Sequence, residues 1–175
     1  ALCLVGSEMC IRDRFNIIHG DPGENGDLAE ILERNKIPQT ACDVYVSKLT
    51  SNKKKYIEFV NSLGIPSSKQ VLITINHINN LSSLSSSITF PCIVKPNNGG
   101  SSIGVSKVYK SNELNEKVQI AFKEDDEVLI ESFLDGQEVS VGVIQNKNDR
   151  IILPITEIIS DNELFDYSAK YLGES

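Results

Sequence analysis

The sequence predicts a mixed fold in which an α/β part is followed by α+β parts. Three observations support this prediction. A short apolar run, Phe15–Ile18, precedes a polar loop and a helical pattern, as at the end of an open α/β domain. Two alternating apolar and polar runs flank a loop of small residues at 97–104, which is typical of a β-hairpin. After residue 128 the chain has the pattern of successive strands.

The first part is predicted to contain one strand and one helix. The strand, Phe15–Ile18, ends at a loop that begins with His19. A short helix follows at residues 27–35, because apolar side chains recur there at helical spacing. These side chains are Leu28, Ile31 and Leu32. We assign residues 15–46 to the tail of an N-terminal open α/β domain.

The central part is predicted to combine helices with strands. A helix is expected from Lys54 to Leu63, and Gly64 and Pro66 would end it. The apolar side chains that share one face of this helix are Tyr56, Phe59, Val60 and Leu63. The other elements are a strand at 71–75, a serine-rich connector at 81–87, the strands around the loop at 97–104, and a helix at 113–123. We assign residues 47–130 to a complete central α+β domain.

The last part is predicted to consist of strands. Apolar or alternating runs follow one another at 128–131, 138–144 and 151–155, and they have the pattern of successive strands of a third domain. We place the domain boundary after residue 130, so that residues 131–175 form the start of a C-terminal α+β domain.

Composition excludes several classes of protein. The 175 residues are 40% hydrophobic, which is enough for a packed core. The net charge of -7 argues against a nucleic-acid-binding surface, which needs clustered lysine and arginine. The apolar run Leu2–Val5 is too short for a signal peptide or a membrane span, so we expect no membrane partner. The four cysteines lack C-x-x-C spacing, which predicts reduced thiols and a cytoplasmic protein.

The loop after the first alternating run has residues that suit a phosphate group. Lys95 ends an apolar strand and precedes Gly99, Gly100, Ser101 and Ser102. Small residues let backbone N–H groups converge on an anion, the hydroxyls add donors, and the lysine adds charge. Because the lysine precedes the glycines, the loop is not a Walker A motif. The alternative interpretation is a flexible hairpin turn with a solvent-exposed lysine.

Four blocks of the chain match the motifs of one family, in the order in which that family has them. The blocks are His19–Gly26, the pair Ile37–Thr40 and Ser47–Lys53, the loop Lys95–Gly104, and Phe165–Tyr171. They resemble the ATP-grasp fold and, within it, the D-alanine–D-alanine ligase family. The chain departs from the family pattern at Asn25, where Asp is usual, at Ala29 and Glu30, where Gln and Gly are usual, and at Gln39, where Tyr is usual. These departures concern substrate preference more than nucleotide binding.

The resemblance implies an enzyme that transfers the γ-phosphoryl group of ATP to a carboxylate and then joins the acyl phosphate to an amine. The implied product is D-alanyl-D-alanine for bacterial peptidoglycan. The residues that resemble the family's nucleotide contacts are Lys53 and Lys95 at the phosphates, Gly100 and Ser102 in the loop, Glu131, Phe133 and Leu134 at the base, and Glu138 at the ribose. The implied catalytic and substrate residues are Ser101, Lys170, Tyr171, His19 and Glu24.

The resemblance also leads to expectations about the two ends of the chain. Residues 1–14 show no family similarity and are expected to be a non-native leader, and residues 15–46 a remnant of a substrate-binding domain. We expect a fragment that is inactive alone, with Mg²⁺ as a further cofactor whose ligands would follow Ser175, so that no metal ligand lies in this chain. A homodimer is expected for the full-length protein.

Two alternatives remain open. The first is another ATP-grasp carboxylate–amine ligase, or a relative that uses D-lactate or D-serine as its second substrate. The second is a non-catalytic module that binds ATP, since an isolated lysine such as Lys53 or Lys170 is often only solvated. Sequence beyond Ser175 would separate the two: an Asp, a Glu-x-Asn and an upstream Arg favour a ligase, and their lack favours the module.

Overall fold

The protein is represented by a computed structural model that describes residues 13–146 and 149–159. The α-helices of this part are α1 (Asp27–Arg34), α2 (Val44–Ser51), α3 (Lys53–Ser62), α4 (Leu81–Leu84) and α5 (Leu114–Ala121). The strands are β1 (Gln70–Thr74), β2 (Cys92–Pro96), β3 (Ser106–Val108), β4 (Glu127–Ser132), β5 (Val139–Ser140), β6 (Val143–Asn146), β7 (Asp149–Ile152) and β8 (Thr156–Glu157). Short 3-10 helices at Ile75–Asn80 and Ser85–Ser87 flank α4.

A four-stranded antiparallel sheet organises the centre of the molecule, in the order β1-β4-β2-β3. The strand β4 lies between β1 and β2, so that Ile130 is opposite both Val71 and Val94. The prediction that residues 128–131 begin the strands of a third domain is therefore wrong. An unbroken apolar run identifies a strand buried on both faces, but it does not identify the sheet. The predicted boundary after residue 130 falls inside β4.

The two faces of this sheet differ in chemistry because side chains alternate along each strand. One face packs on α4 and α5 and forms the main core. The buried members of that core are Ile73, Leu81, Ile88, Cys92, Val94, Val108, Leu114, Val118, Ala121, Val128 and Ile130. The other face carries Lys95 and Glu131. The core face thus fixes the strands that present these two charged residues.

Cys92 packs inside the core face. Burial raises the pKa of its thiol to about 11, because a thiolate is poorly solvated in an apolar interior. The thiol is therefore neutral at physiological pH, and it serves as a small apolar side chain.

The hairpin predicted around the glycine and serine loop is confirmed, since β2 and β3 pair with Cys92 opposite Val108. The predicted helix at 27–35 is also confirmed as α1. The predicted strand Phe15–Ile18 is wrong: the local pairing is a single bridge between Arg14 and Gln39, and Phe15 is 78% exposed. A strand needs a neighbouring strand to satisfy its backbone, and the described part of the chain does not pair one with Phe15–Ile18.

Other departures from the predicted elements have local causes. The serine-rich connector at 81–87 folds into helical turns, where the Ser85 hydroxyl donates to the Leu81 carbonyl at 2.8 Å. The predicted strand at 138–144 divides into β5 and β6, because the first piece pairs with β8 and the second with β7. The predicted apolar face of α3 is present in the sequence but is not buried, and Tyr56 is 44% exposed.

Among residues 13–146 and 149–159, no helix combines the length and the apolar content that crossing a membrane requires.

Candidate active site

A cavity of about 390 Å³ opens between the turn at residues 19–26, helix α2 and the loop after β2. Its walls include Gly20, Glu24, Cys42, Ser47, Gly99 and Gly100. Two of the residues implied for substrate and nucleotide, Glu24 and Gly100, therefore face one space. Residues of the first part of the chain and residues of the loop after β2 thus line the same cavity.

The loop between β2 and β3 has a backbone that few sequences can adopt. Four of its residues have positive φ: Gly99 at 82°, Ser101 at 55°, Ser102 at 58° and Gly104 at 70°. Glycine accepts this conformation without steric cost, whereas for serine it is uncommon. Turns with left-handed residues bring successive backbone N–H groups to one side and so form anion-binding concavities. The loop geometry therefore suits a phosphate group.

Lys53 lies at the start of α3 and reaches into the same loop. Its Nζ donates to the carbonyl of Gly99 at 2.9 Å and to that of Asn98 at 3.3 Å. The pKa of Lys53 is lowered to about 8, mainly by partial burial and also by the nearby positive charge of Lys95, while Asp125 and Glu131 oppose the shift. The two ammonium groups are thus close enough to repel each other, which is a cost that an anion between them would remove.

Lys95 pairs with Glu131 across β2 and β4. The side chains are only 19% and 16% exposed, respectively, and Nζ of Lys95 donates to Oε1 of Glu131. The register places Lys95 opposite Leu129 and Glu131 opposite Ile93, so the pair is diagonal on the sheet face away from the main core. An ion pair this well shielded from water interacts more strongly than a surface pair. Because little water reaches either charge, each one is stabilised mainly by the other.

The turn at residues 19–26 contacts the loop through one hydrogen bond. Nε2 of His19 and Oγ of Ser101 are 2.8 Å apart. Glu24 supports the histidine, since its Oε1 lies 3.4 Å from Nδ1 of His19, and its Oε2 accepts from the Gly20 backbone N–H at 2.8 Å. The structure therefore brings together three residues implied for the substrate end of the site, namely His19, Glu24 and Ser101.

The segment after β4 holds the residues implied for the base and ribose. The Phe133 backbone N–H donates to the Pro91 carbonyl at 3.0 Å, and the ammonium group of Lys107 lies 4.0 Å from the centre of the Phe133 ring. Leu134 is 68% exposed, and Glu138 is exposed immediately before β5. The side chain of Phe133 is thus fixed by a cation–π contact, while Leu134 and Glu138 are open to solvent.

Lys170 and Tyr171 lie outside the described residues. Their implied roles stay predictions.

Sequence reasoning missed four polar residues that hold the loop in place. Asn97 and Asn98 begin the loop, and they contact Glu127 and Asp125 respectively. A signal was available in the sequence, because two adjacent asparagines directly after an apolar strand favour a hydrogen-bonded turn. The partners could not be found this way, since they lie 27 to 30 residues farther along the chain.

Comparison with known proteins identifies the family. A family model described as the D-ala D-ala ligase C-terminus matches residues 59–175. The chain belongs to the D-Ala-D-Ala ligase family. The resemblance inferred from the four sequence blocks is therefore confirmed.

Relatives in this ligase family are similar over most of the chain. A D-alanine–D-alanine ligase of Christiangramia forsetii is 50% identical over 161 residues, which are 92% of this chain and 49% of the relative. One of Flavobacterium johnsoniae is 47% identical, over 92% of this chain and 50% of the relative. The chain thus spans about half the length of the curated ligases that it matches.

Solved structures of the same family confirm the ATP-grasp fold, with its mixed helices and sheets. The crystal structure of D-alanine-D-alanine ligase from Helicobacter pylori has a TM-score of 0.76 and 32% identity, and the match covers 88% of this chain and 49% of that one. The VanG D-Ala:D-Ser ligase from Enterococcus faecalis has a TM-score of 0.82 and 32% identity, covering 91% of this chain and 47% of that one.

The implied Mg²⁺ does not fit the residues at hand. Within the described ranges, no group of three or more His, Cys, Asp or Glu side chains is arranged to hold a metal ion. Glu131, the acidic residue beside Lys95, is engaged in the ion pair. We therefore derive no step through a metal, and the expectation of ligands beyond Ser175 stays a prediction for this ligase-family chain.

Proposed function

We propose that the full-length protein containing this chain is an ATP-dependent ligase that joins two D-alanines into D-alanyl-D-alanine for peptidoglycan synthesis. The observation that carries the proposal is the pair of lysines at the loop. Lys53 contacts the Gly99 carbonyl at 2.9 Å, and Lys95 is close enough to lower the pKa of Lys53. Phosphoryl transfer depends mainly on positioning and charge neutralisation, and two neighbouring ammonium groups beside a left-handed loop supply both.

The proposed roles follow the layout of the site. Lys53, Lys95, Gly100 and Ser102 would bind the triphosphate. Glu131, Phe133 and Leu134 would surround the adenine, and Glu138 would accept from the ribose hydroxyls. His19, Glu24 and Ser101 would bind and orient the substrate, together with Lys170 and Tyr171. The support for the last set is the hydrogen bond between His19 and Ser101, through which the turn at residues 19–26 contacts the loop after β2.

The remaining parts of the proposal concern the whole protein. We propose a substrate-binding part at residues 15–46, a central ATP-binding part that begins at residue 47 and includes all of β4, and a C-terminal part that follows β4. Mg²⁺ would be bound outside the described residues. We also propose a homodimer in the bacterial cytoplasm, where the precursors of peptidoglycan are made. Membership of the D-Ala-D-Ala ligase family supports these statements.

The direct test is ATP hydrolysis by the full-length protein with a panel of D- and L-amino acids. Phosphate release is expected only with D-alanine, because the acyl phosphate forms on the carboxylate of the bound amino acid. Preference for an L-amino acid, or release without any amino acid, would contradict the substrate assignment. Similarity to a D-Ala:D-Ser ligase favours a second candidate, so the dipeptide product is also measured with D-serine and D-lactate as second substrates.

Nucleotide binding is expected to take up a proton at alkaline pH because of Lys53. Its pKa of about 8 lies below the ordinary 10.5, so near pH 9 the side chain is mostly neutral in the free protein. A bound triphosphate favours the charged form, and linkage then requires proton uptake that approaches about one proton per nucleotide. Affinity should correspondingly fall as the pH rises through about 8.

Calorimetric titration with a non-hydrolysable ATP analogue in two buffers of different ionisation enthalpy measures this proton. The Lys53→Met variant is the control, since it removes the titrating group and should lose the buffer dependence. Identical heats in both buffers near pH 9 for the unmodified protein would show that Lys53 does not face the phosphates.

A further inference from the structure

The strongest unexplained feature near the site is Asn97, which is a fully buried polar residue. Its Oδ1 accepts from the Lys54 backbone N–H at 2.9 Å, and its Nδ2 donates to Oε2 of Glu127 at 2.7 Å. Its backbone carbonyl accepts from the Lys53 backbone N–H at 2.9 Å, and its backbone N–H donates to the Glu127 carbonyl at 2.8 Å. One residue therefore joins the start of α3, the end of β2 and the start of β4.

The next residue, Asn98, makes a second set of contacts from an exposed position. Its backbone N–H and its Nδ2 both donate to Oδ2 of Asp125, at 2.6 and 2.9 Å. Its Oδ1 accepts from Nδ2 of Asn52 at 3.0 Å. Asn52 is the N-cap of α3, where its own Oδ1 accepts from the Lys55 backbone N–H. Asn98 thus connects the loop both to the helix cap and to the segment before β4.

These contacts lie between the segments that carry Lys53 and Lys95. Lys95 lies on β2, two residues before Asn97. The backbone carbonyl of Asn97 accepts a hydrogen bond from the backbone N–H of Lys53. Lys53 and Lys95 are far apart in the sequence. The distance between their side chains therefore depends on the contacts between α3 and the loop. The hydrogen bonds of Asn97 and Asn98 are among the contacts that join the start of α3 to the loop.

We propose that Asn97 and Asn98 are positioning residues, which hold the start of α3 against the loop so that the ammonium groups of Lys53 and Lys95 are set for one triphosphate before it binds. The inference rests on the proposed function, in which both lysines bind ATP. Preorganisation of this kind raises affinity because less order has to be created on binding. Loosening either asparagine should therefore weaken nucleotide binding while the sheet stays intact.

The test uses the full-length protein and a non-hydrolysable ATP analogue. Asn98→Ala removes the contacts of an exposed side chain. Asn97→Asp places a carboxylate against the carboxylate of Glu127, and the double variant Asn97→Asp/Glu127→Gln restores a donor and acceptor at that junction with the same total charge. Asn79→Ala, at an exposed asparagine of the 3-10 helix after β1, is the matched control.

We expect Asn98→Ala and Asn97→Asp each to raise the dissociation constant at least about tenfold, and the double variant to return to within about threefold of the unmodified protein. Asn79→Ala should bind normally. Circular dichroism shows which variants are folded, and dissociation constants are compared only among those. Unchanged binding by folded Asn98→Ala and Asn97→Asp would overturn the proposal, as would a double variant that binds as weakly as Asn97→Asp. If Asn97→Asp does not fold, Asn98→Ala decides alone.

A second measurement separates this inference from the proposed function. The titration of Lys53 is followed by NMR of ¹³Cε-labelled lysine in nucleotide-free protein, with Lys53→Arg giving the assignment. Asn98→Ala should move the midpoint of Lys53 from about 8 toward the ordinary 10.5, because the ammonium group gains water. If the unmodified protein does not bind the analogue, the proposed function fails, and the titration alone judges the positioning role: a midpoint that Asn98→Ala leaves unchanged overturns it.

Discussion

Replacing Lys95 with methionine is expected to weaken nucleotide binding about 10- to 100-fold, because a charge-assisted contact contributes roughly 1.5 to 3 kcal/mol. The same change should lower the free energy of unfolding by about 3 kcal/mol, since removing one partner leaves the other charge shielded and unpaired. Glu131 is that partner, and its side chain is only 16% exposed. Titration with an ATP analogue and urea denaturation measure the two effects.

The double variant Lys95→Met/Glu131→Gln separates stability from binding. It removes both charges, so most of the stability lost in Lys95→Met should return. Binding should not return, because the ammonium group that faces the phosphates is still missing. Recovery of nucleotide affinity in the double variant would mean that Lys95 serves only to neutralise Glu131. Unchanged nucleotide affinity in Lys95→Met would show that Lys95 does not bind the phosphates.

Local signals in the sequence were enough to place the hairpin and its loop. The glycines and serines between two alternating strands determine a turn whose left-handed positions include Gly99 and Gly104, and such a turn depends on its own residues. Helix α1 was predictable for the same reason, because its apolar spacing lies within one short segment. These features need no information from distant parts of the chain.

Features that depend on distant partners could not be predicted. The apolar residues at the centre of β4 were recognisable as a buried strand, but the place of β4 between β1 and β2 is determined by pairing with residues more than 30 positions earlier. The helix α2 was missed because its signals are weak. Asp43 caps it by accepting from the Val46 backbone N–H at 2.8 Å, but an Asp side chain can form the same kind of backbone hydrogen bond in a turn.

The candidate site shows the same division between local and distant information. The resemblance identified Lys53, Lys95 and Ser101 one by one, and the sequence alone could not say that His19 would contact Ser101 across 82 residues. The ion pair of Lys95 with Glu131 was missed because each residue had been assigned separately to the nucleotide. Strand register explains the pair, since adjacent strands place alternate side chains on one face.

Replacing Gly23 with alanine is expected to reduce D-alanine-dependent ATP hydrolysis about 100-fold, since a displacement of about 1 Å in a site can cost that much. A Cβ atom at Gly23 would lie 2.5 Å from both the Cβ and the carbonyl oxygen of Ile18. These contacts are too short for either residue to keep its place. Gly23 precedes Glu24 and Ile18 precedes His19, so the displaced backbone carries the two residues proposed to bind the substrate.

The loss should appear in the D-alanine dependence and not in nucleotide affinity, because Lys53 and Lys95 are held by α3 and the central sheet. Gly136→Ala is the matched control, since its Cβ would meet nothing within 4 Å and its φ is not positive. It should hydrolyse ATP at the normal rate. Normal D-alanine dependence in folded Gly23→Ala would show that the turn at residues 19–26 tolerates displacement, and it would remove His19 and Glu24 from the proposed substrate site.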